Sequence, residues 1–142
     1  MYAEPPAVDI DVVNAMVHET FPGSRIRCTG IGPDHATATL LTGPDDVRPG
    51  GYISGPTQFS VADGALWYLV FGALGRFEAM ALTSELSIRF LRPAIGTALN
   101  ARAELATAGR RSVVGSVTVW ADAAADRPSA IAQGTYVLPL PA

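Results

Sequence analysis

Lysine is absent from this 142-residue chain, and all ten of its basic side chains are arginine. With a formal net charge of −3, the chain has no surplus of positive charge with which to hold nucleic acid or an anionic membrane. One cysteine, Cys28, excludes an internal disulfide and a cysteine-based metal site. Two histidines, His18 and His35, are too few for a zinc site unless carboxylates join them, so neither a metal nor a cofactor is expected. Charge of either sign is scarce: 16% of residues are charged against 49% hydrophobic, the balance of a chain that folds around a core rather than staying disordered. The length suits one domain and is too short for two ordinary ones, so residues 1–142 are expected to form a single unit. The start, "MYAEPPAVDID", lacks a basic opening followed by a long apolar run; no secretory leader is expected, and the location implied is cytoplasmic.

Between Pro49 and Gly75 the only charge is Asp63. Residues 56–75, "PTQFSVADGALWYLVFGALG", reach the length of a bilayer span, but they include Pro, Thr, Gln, Ser, Asp and three glycines, and no basic flanks or aromatic belt frame them. A helix covered by a sheet explains the passage better, and no membrane partner is expected.

The rest of the chain is short elements and turns. Val8, Val12, Val13, Met16 and Val17 recur at helical spacing before Pro22-Gly23 ends the run. "RIRCTGI" and "HATATLL" alternate as strands joined by "GPD", and "TGPDDVRPGG" is a polar loop dense in turn formers. Pro56 opens the long helix where its missing N–H costs nothing, with Ser54 or Gly55 as cap, and Gly72 and Gly75 mark its end. "LTSELSIRFL" alternates with Leu82, Leu86, Ile88 and Phe90 on one face and Thr83, Glu85, Ser87 and Arg89 on the other. "LNARAELATAG", "RRSVVGSVTVWAD" and "SAIAQGTYVLPL" complete four strands. The pattern is α+β: a short N-terminal helix, two strands, one long central helix, then four strands, which a curved antiparallel sheet of about six strands wrapped around the central helix would satisfy.

Aspartate is a poor helix-interior residue, and an unpaired charge in an apolar setting costs on the order of several kcal/mol. On a helical wheel Asp63 shares its face with Phe59, Ser60, Leu66, Trp67 and Val70, which is no solvent-facing stripe. Two readings are open. The carboxylate is hydrogen-bonded to a neighbouring subunit or a backbone group, or it lines a pocket and works there as a base or nucleophile.

Order, length and motif, above all "SGPTQFSVADGALW", "LTSELSIRFLRPA" and "AGRRSVVGSVTVW", resemble the hotdog fold and, within it, acyl-CoA thioesterases of the phenylacetic-acid-degradation type. In those enzymes a His-Gly-Gly opens the central helix, an acidic residue follows eight positions after the first Gly, and a later strand ends in a phrase like "FLRPA". Gly55, Asp63 and residues 90–94 match that pattern. Ser54 stands where the family has His, Pro56 where it often has a second Gly, and Arg48 where the loop usually supplies an amide. The resemblance implies hydrolysis of a medium-chain or aryl acyl-CoA, with Asp63 as base or nucleophile and the Gly55 N–H as oxyanion donor. It also implies that the Gly of one protomer faces the acid of the other, hence a homodimer or a homotetramer built as a dimer of dimers. Thr83 matches a position that carries Ser near the attacking water in some relatives. Ser54 and Gln58 are candidates to touch substrate, Trp67 to wall the acyl pocket, and Arg89, Arg110 and Arg111 to hold the phosphates of coenzyme A. Any one of those arginines is also ordinary solvated surface, and Ser54 is also an ordinary helix cap. Two rivals stand beside this reading. One is a non-catalytic acyl-ligand binder that kept the fold, favoured by the missing His and loop amide. The other is a hotdog dehydratase, ranked last because neither histidine lies beside Asp63 in the pattern.

Overall fold

In the computed structural model, which describes residues 7–140, helix α1 spans Ile10–Thr20. The first six residues, part of the stretch read for a leader, lie outside those described. The Asp9 carboxylate caps α1 by accepting from the Asp11 and Val12 N–H groups at 2.8 and 3.3 Å. Of its apolar stripe, Val13 and Val17 are buried while Val12 and Met16 stay exposed. Strands β1 (Ile26–Ile31) and β2 (His35–Leu41) form the expected hairpin. Asn14 on α1 pins the first helix to β1, its amide donating to the Cys28 carbonyl and accepting from the Cys28 N–H.

The polar loop carries more order than its composition suggests. It holds a 3-10 turn at Pro44–Asp46 and two two-residue strands, β3 (Val47–Arg48) and β4 (Tyr52–Ile53), paired with each other. Helix α2 then runs from Gly55 to Leu74. Gly75 closes it in the left-handed region at φ 73°, a conformation that costs a residue without Cβ little. Gly72 is not a stop: it is buried inside the helix, and a Cβ there would lie 2.0 Å from the Gly32 carbonyl oxygen. Its smallness serves contact between α2 and the β1–β2 turn.

Strands β5 (Leu82–Phe90), β6 (Ala98–Ala108), β7 (Ser112–Ala121) and β8 (Ala130–Val137) follow. With β1 and β2 they make one antiparallel sheet in the order β1-β2-β6-β7-β8-β5, so β5 is an edge strand. Helix α2 touches all six strands, which a flat sheet would not allow; the sheet bends around it in the hotdog arrangement. The core lies between them, with Val61, Ala62, Leu66, Leu69 and Val70 of α2 against Ala38, Leu40, Ala101, Ala103, Val117 and Val119. No helix among the described residues is long and apolar enough to cross a membrane.

Strand β5 departs from its simple alternation. Thr83 pairs with Tyr136 and Glu85 with Thr135, leaving Ser84 as an extra residue in a bulge. The inner partners on β8 are Tyr136, Gly134, Ala132 and Ala130, so the inner residues of β5 are Thr83, Leu86, Ile88 and Phe90. Thr83 thus lies on the face opposite the one its parity gives it.

Candidate active site

The bulge brings Thr83 onto Asp63. The Thr83 hydroxyl donates to Asp63 Oδ1 at 2.7 Å, and the Tyr136 phenol donates to the same oxygen, also at 2.7 Å. The phenol oxygen lies 3.2 Å from the Asp63 main-chain oxygen as well. Burial, reinforced by the Asp63 charge, pushes the Tyr136 phenol far above its ordinary pKa, so it stays protonated and has a proton to donate. Oδ2 of Asp63 has no protein partner among the described residues.

Asp63 is half-buried at the wall of a pocket of about 560 Å³. Phe21, Ile26, Gly64, Trp67, Tyr68 and Ala79 supply most of the rest of the lining, with Ser60 and Tyr136 beside the carboxylate. Trp67 stands at the centre of an aromatic group, edge-on to Phe21 at 5.4 Å and to Phe71 at 4.7 Å between ring centroids. Tyr68 has its hydroxyl engaged on the Ile26 carbonyl. The helix face expected to be closed to solvent is open along one line: Phe59 and Ser60 are exposed beside Asp63, while Leu66 and Val70 are fully buried.

The loop builds the start of α2, where the other candidate residues lie. Ser54 is the N-cap of α2: its Oγ accepts from the Thr57 N–H at 3.2 Å and donates to the Thr57 hydroxyl at 2.9 Å. Gly55, the first helical residue, has an N–H with no partner inside the helix. A Cβ on it would meet the Phe90 ring at 3.2 Å, which places the start of α2 against the far end of β5. Gln58 is buried, with both ends of its amide taken: Nε2 donates to the Ile53 carbonyl and Oε1 accepts from the Ser129 hydroxyl at 2.8 Å. It is not among the residues around Asp63.

In the sequence Asp46 reads as one more polar loop residue, and only the fold marks it. It is only 4% exposed. Both terminal nitrogens of Arg25, the Gly43 N–H and the Thr57 hydroxyl all donate to its carboxylate, and its own carbonyl accepts from the Ser54 N–H. Tyr136 is as inconspicuous: at the end of an alternating strand it looks like plain core. Arg110 and Arg111 are exposed in the β6–β7 turn, at the sheet end where Val113, Tyr136 and Thr83 lie side by side. Arg89 points to the outer face of the sheet beside Ser87 and Gln133, away from α2. His18 and His35 are absent from the Asp63 pocket, and buried Cys28 has its thiol pushed up to about 11 by burial.

The family model described as the thioesterase superfamily matches residues 50–125. A solved structure from a Silicibacter species, assigned as a thioesterase, is 31% identical, with a TM-score of 0.84 and 96% of each chain covered. A thioesterase from Haemophilus influenzae shares the fold at 15% identity, with a TM-score of 0.78 over 96% of this chain and 94% of its own. The phenylacetic acid degradation protein PaaI of Thermus thermophilus, solved as a mutant, shares it at 18% identity and a TM-score of 0.67, with 87% and 99% covered. Among curated proteins, none matches the sequence.

Proposed function

The chain belongs to the thioesterase superfamily, and from that premise we propose that it hydrolyses acyl-CoA thioesters at Asp63, with a medium-chain or aryl acyl group seated in the adjoining pocket. The observation that carries this reading is the placement of Asp63. A lone carboxylate in an apolar helix has one oxygen tethered by two hydroxyls and the other without a protein partner, at the wall of a pocket lined by Trp67, Phe21 and Ile26. As a base, Oδ2 takes a proton from water while the hydroxide attacks the thioester carbonyl. The tetrahedral intermediate collapses, the C–S bond breaks, and the thiolate leaves to take up a proton. As a nucleophile, the same oxygen attacks the carbonyl, the C–S bond breaks and the thiolate leaves, and water then opens the resulting mixed anhydride to the free acid and the Asp63 carboxylate. Either way the developing oxyanion needs donors, and the Gly55 N–H at the positive end of α2 suits it.

Gly55 and Asp63 are eight residues apart on one helix, about 12 Å along its axis at 1.5 Å per residue. That is too far for both to act on a single carbonyl, which supports a site shared by two copies. The exposed edge β5 fits such an assembly. Its Phe90 end lies by Gly55 and its Thr83 end by Asp63, so antiparallel two-fold pairing of β5 with its copy would set the Gly55 of one protomer facing the Asp63 of the other. A homodimer, or a tetramer of two such dimers, follows. Arg110 and Arg111, at the Thr83 end of the sheet, are the arginines best placed for the phosphates of coenzyme A. Arg89, on the outer face, is placed worse.

Ser54, engaged as a helix cap where the family has His, and Arg48 where the loop usually supplies an amide favour a second reading, a non-catalytic acyl-ligand binder, because polar groups that would assist the reaction are missing. Thiol release from a panel of acyl-CoAs, with wild type beside Asp63→Asn, separates the two. Hydrolysis at Asp63 predicts steady turnover that falls at least about 100-fold in the variant. Ligand binding without turnover would favour the binder, and turnover that survives the substitution would remove Asp63 from the reaction.

A further inference from the structure

The phenol of Tyr136 is a polar group that the core does not need. Its inner-face neighbours along β8 are Gly134, Ala132 and Ala130, all apolar or without a side chain, and a phenylalanine would fill the same space under α2. The residue is 4% exposed, and burying a hydroxyl costs free energy unless it is hydrogen-bonded. Its bond goes to the charged end of Asp63, on the same Oδ1 that Thr83 already holds. Two donors reach that oxygen from two adjacent strands, β8 and edge strand β5, where Thr83 and Tyr136 are direct partners. An aspartate on a helix, free to turn about two side-chain bonds, is thereby restricted by a rigid sheet.

We propose that Tyr136 is a positioning residue for the reaction: with Thr83 it clamps Oδ1 and so fixes the rotamer in which Oδ2 is the working oxygen of Asp63. The inference rests on the reading of Asp63 as the carboxylate that acts on the thioester. In this role Tyr136 acts through Asp63. The arrangement divides the two oxygens, one for holding and one for chemistry, and explains why a bulge re-aims Thr83 inward at this point of β5. Productive geometry in such sites has to be kept within a fraction of an ångström, and a misplacement of about 1 Å can cost on the order of 100-fold.

The test is Tyr136→Phe, alone and combined with Asp63→Asn, with kcat and KM measured on the best acyl-CoA of the panel. The clamp predicts a kcat lower by about 10- to 100-fold with KM changed less than about 2-fold, and no further loss when Phe is added to Asp63→Asn. Thr83→Val should behave in the same way. A crystal structure of Tyr136→Phe gives a readout that does not depend on turnover: the Asp63 carboxylate should leave Thr83 or occupy more than one rotamer. Wild-type kcat in Tyr136→Phe would overturn the proposal, as would an equal loss in both backgrounds or an Asp63 carboxylate unmoved in the variant. If Asp63→Asn is as active as wild type, the carboxylate reading itself fails. If Asp63→Asn is dead and Tyr136→Phe fully active, only the clamp fails.

Discussion

Two carboxylates define this molecule at the scale of single residues, and they are held for different ends. Asp63 keeps one oxygen without a protein partner, whereas Asp46 gathers donors on both of its oxygens. The Arg25 guanidinium, and after it the Gly43 N–H, hold the Asp46 carboxyl well below the usual carboxylate range. A carboxylate with a lowered native pKa adds stability that is fully present above its unfolded value, near 4, and is lost as pH falls toward its native one. Asp46→Asn should therefore cost about 2 kcal/mol at pH 7, the usual scale of hydrogen bonds to a charged group, and the gap to wild type should close progressively below about pH 4. Urea denaturation at a series of pH values measures this. A gap that stayed constant with pH would show that the charge of Asp46 contributes nothing. Because the Asp46 carboxylate also holds the Thr57 hydroxyl, the substitution loosens the turn that presents the Gly55 N–H.

At the scale of elements, the decisive contact is α2 on the sheet, and glycines set its closeness. Gly115 of β7 and Gly134 of β8 are direct partners, and a Cβ on either would run into the Leu66 side chain at 2.9 Å. On Gly134 it would also meet the Glu85 carbonyl oxygen at 2.6 Å, which cannot swing away as a side-chain end can. Leu66 sits in the shallow groove this pair makes, one turn of helix from Asp63. Gly134→Ala is expected to destabilise by about 2 kcal/mol, as overpacking does, with a matching fall in the urea midpoint. Since the added methyl group pushes on the helix that carries Asp63, kcat should drop as well. An unchanged midpoint would mean that α2 has room to shift that the packing does not suggest.

For the whole molecule, the sheet order leaves β5 at an edge with its backbone unpaired on one side, and exposed edges of this kind invite pairing with another chain. Around it Leu82, Phe90, Leu91 and Phe59 remain exposed. If the site is shared between copies, two inactive variants should complement each other. Asp63→Asn and Gly55→Val, the second chosen to block approach of a carbonyl to the helix start, are each expected to be inactive alone. Unfolded and refolded together at equal amounts, they form mixed dimers in half of the random pairings, each with one intact site of two. Activity should return to about one quarter of wild type. No recovery in verified mixed dimers would mean that each chain works with its own groups.

The order of elements, the lone charge in the central helix and the spacing of Gly55 to Asp63 were legible in the sequence, because they depend on periodicity, capping and position along one chain. Ser54 as cap and Gly75 as stop follow from the same local physics. What lies across the sheet was not legible. Strict alternation assigns Thr83 to the face of Glu85, and only the extra residue in the β5–β8 ladder turns it inward to Asp63. Tyr136 is separated from Asp63 by 73 positions and looks like any core residue of a strand, since nothing in its neighbours marks a phenol that must find an acceptor. Asp46 hides in a run of turn formers, and its burial exists only once Arg25 has folded over it. Local propensity is written in consecutive residues, so the chain alone determined where the helix and its carboxylate would be. Which side chains meet that carboxylate depends on strand register and on a bulge, and those are decided when the whole sheet closes around the helix.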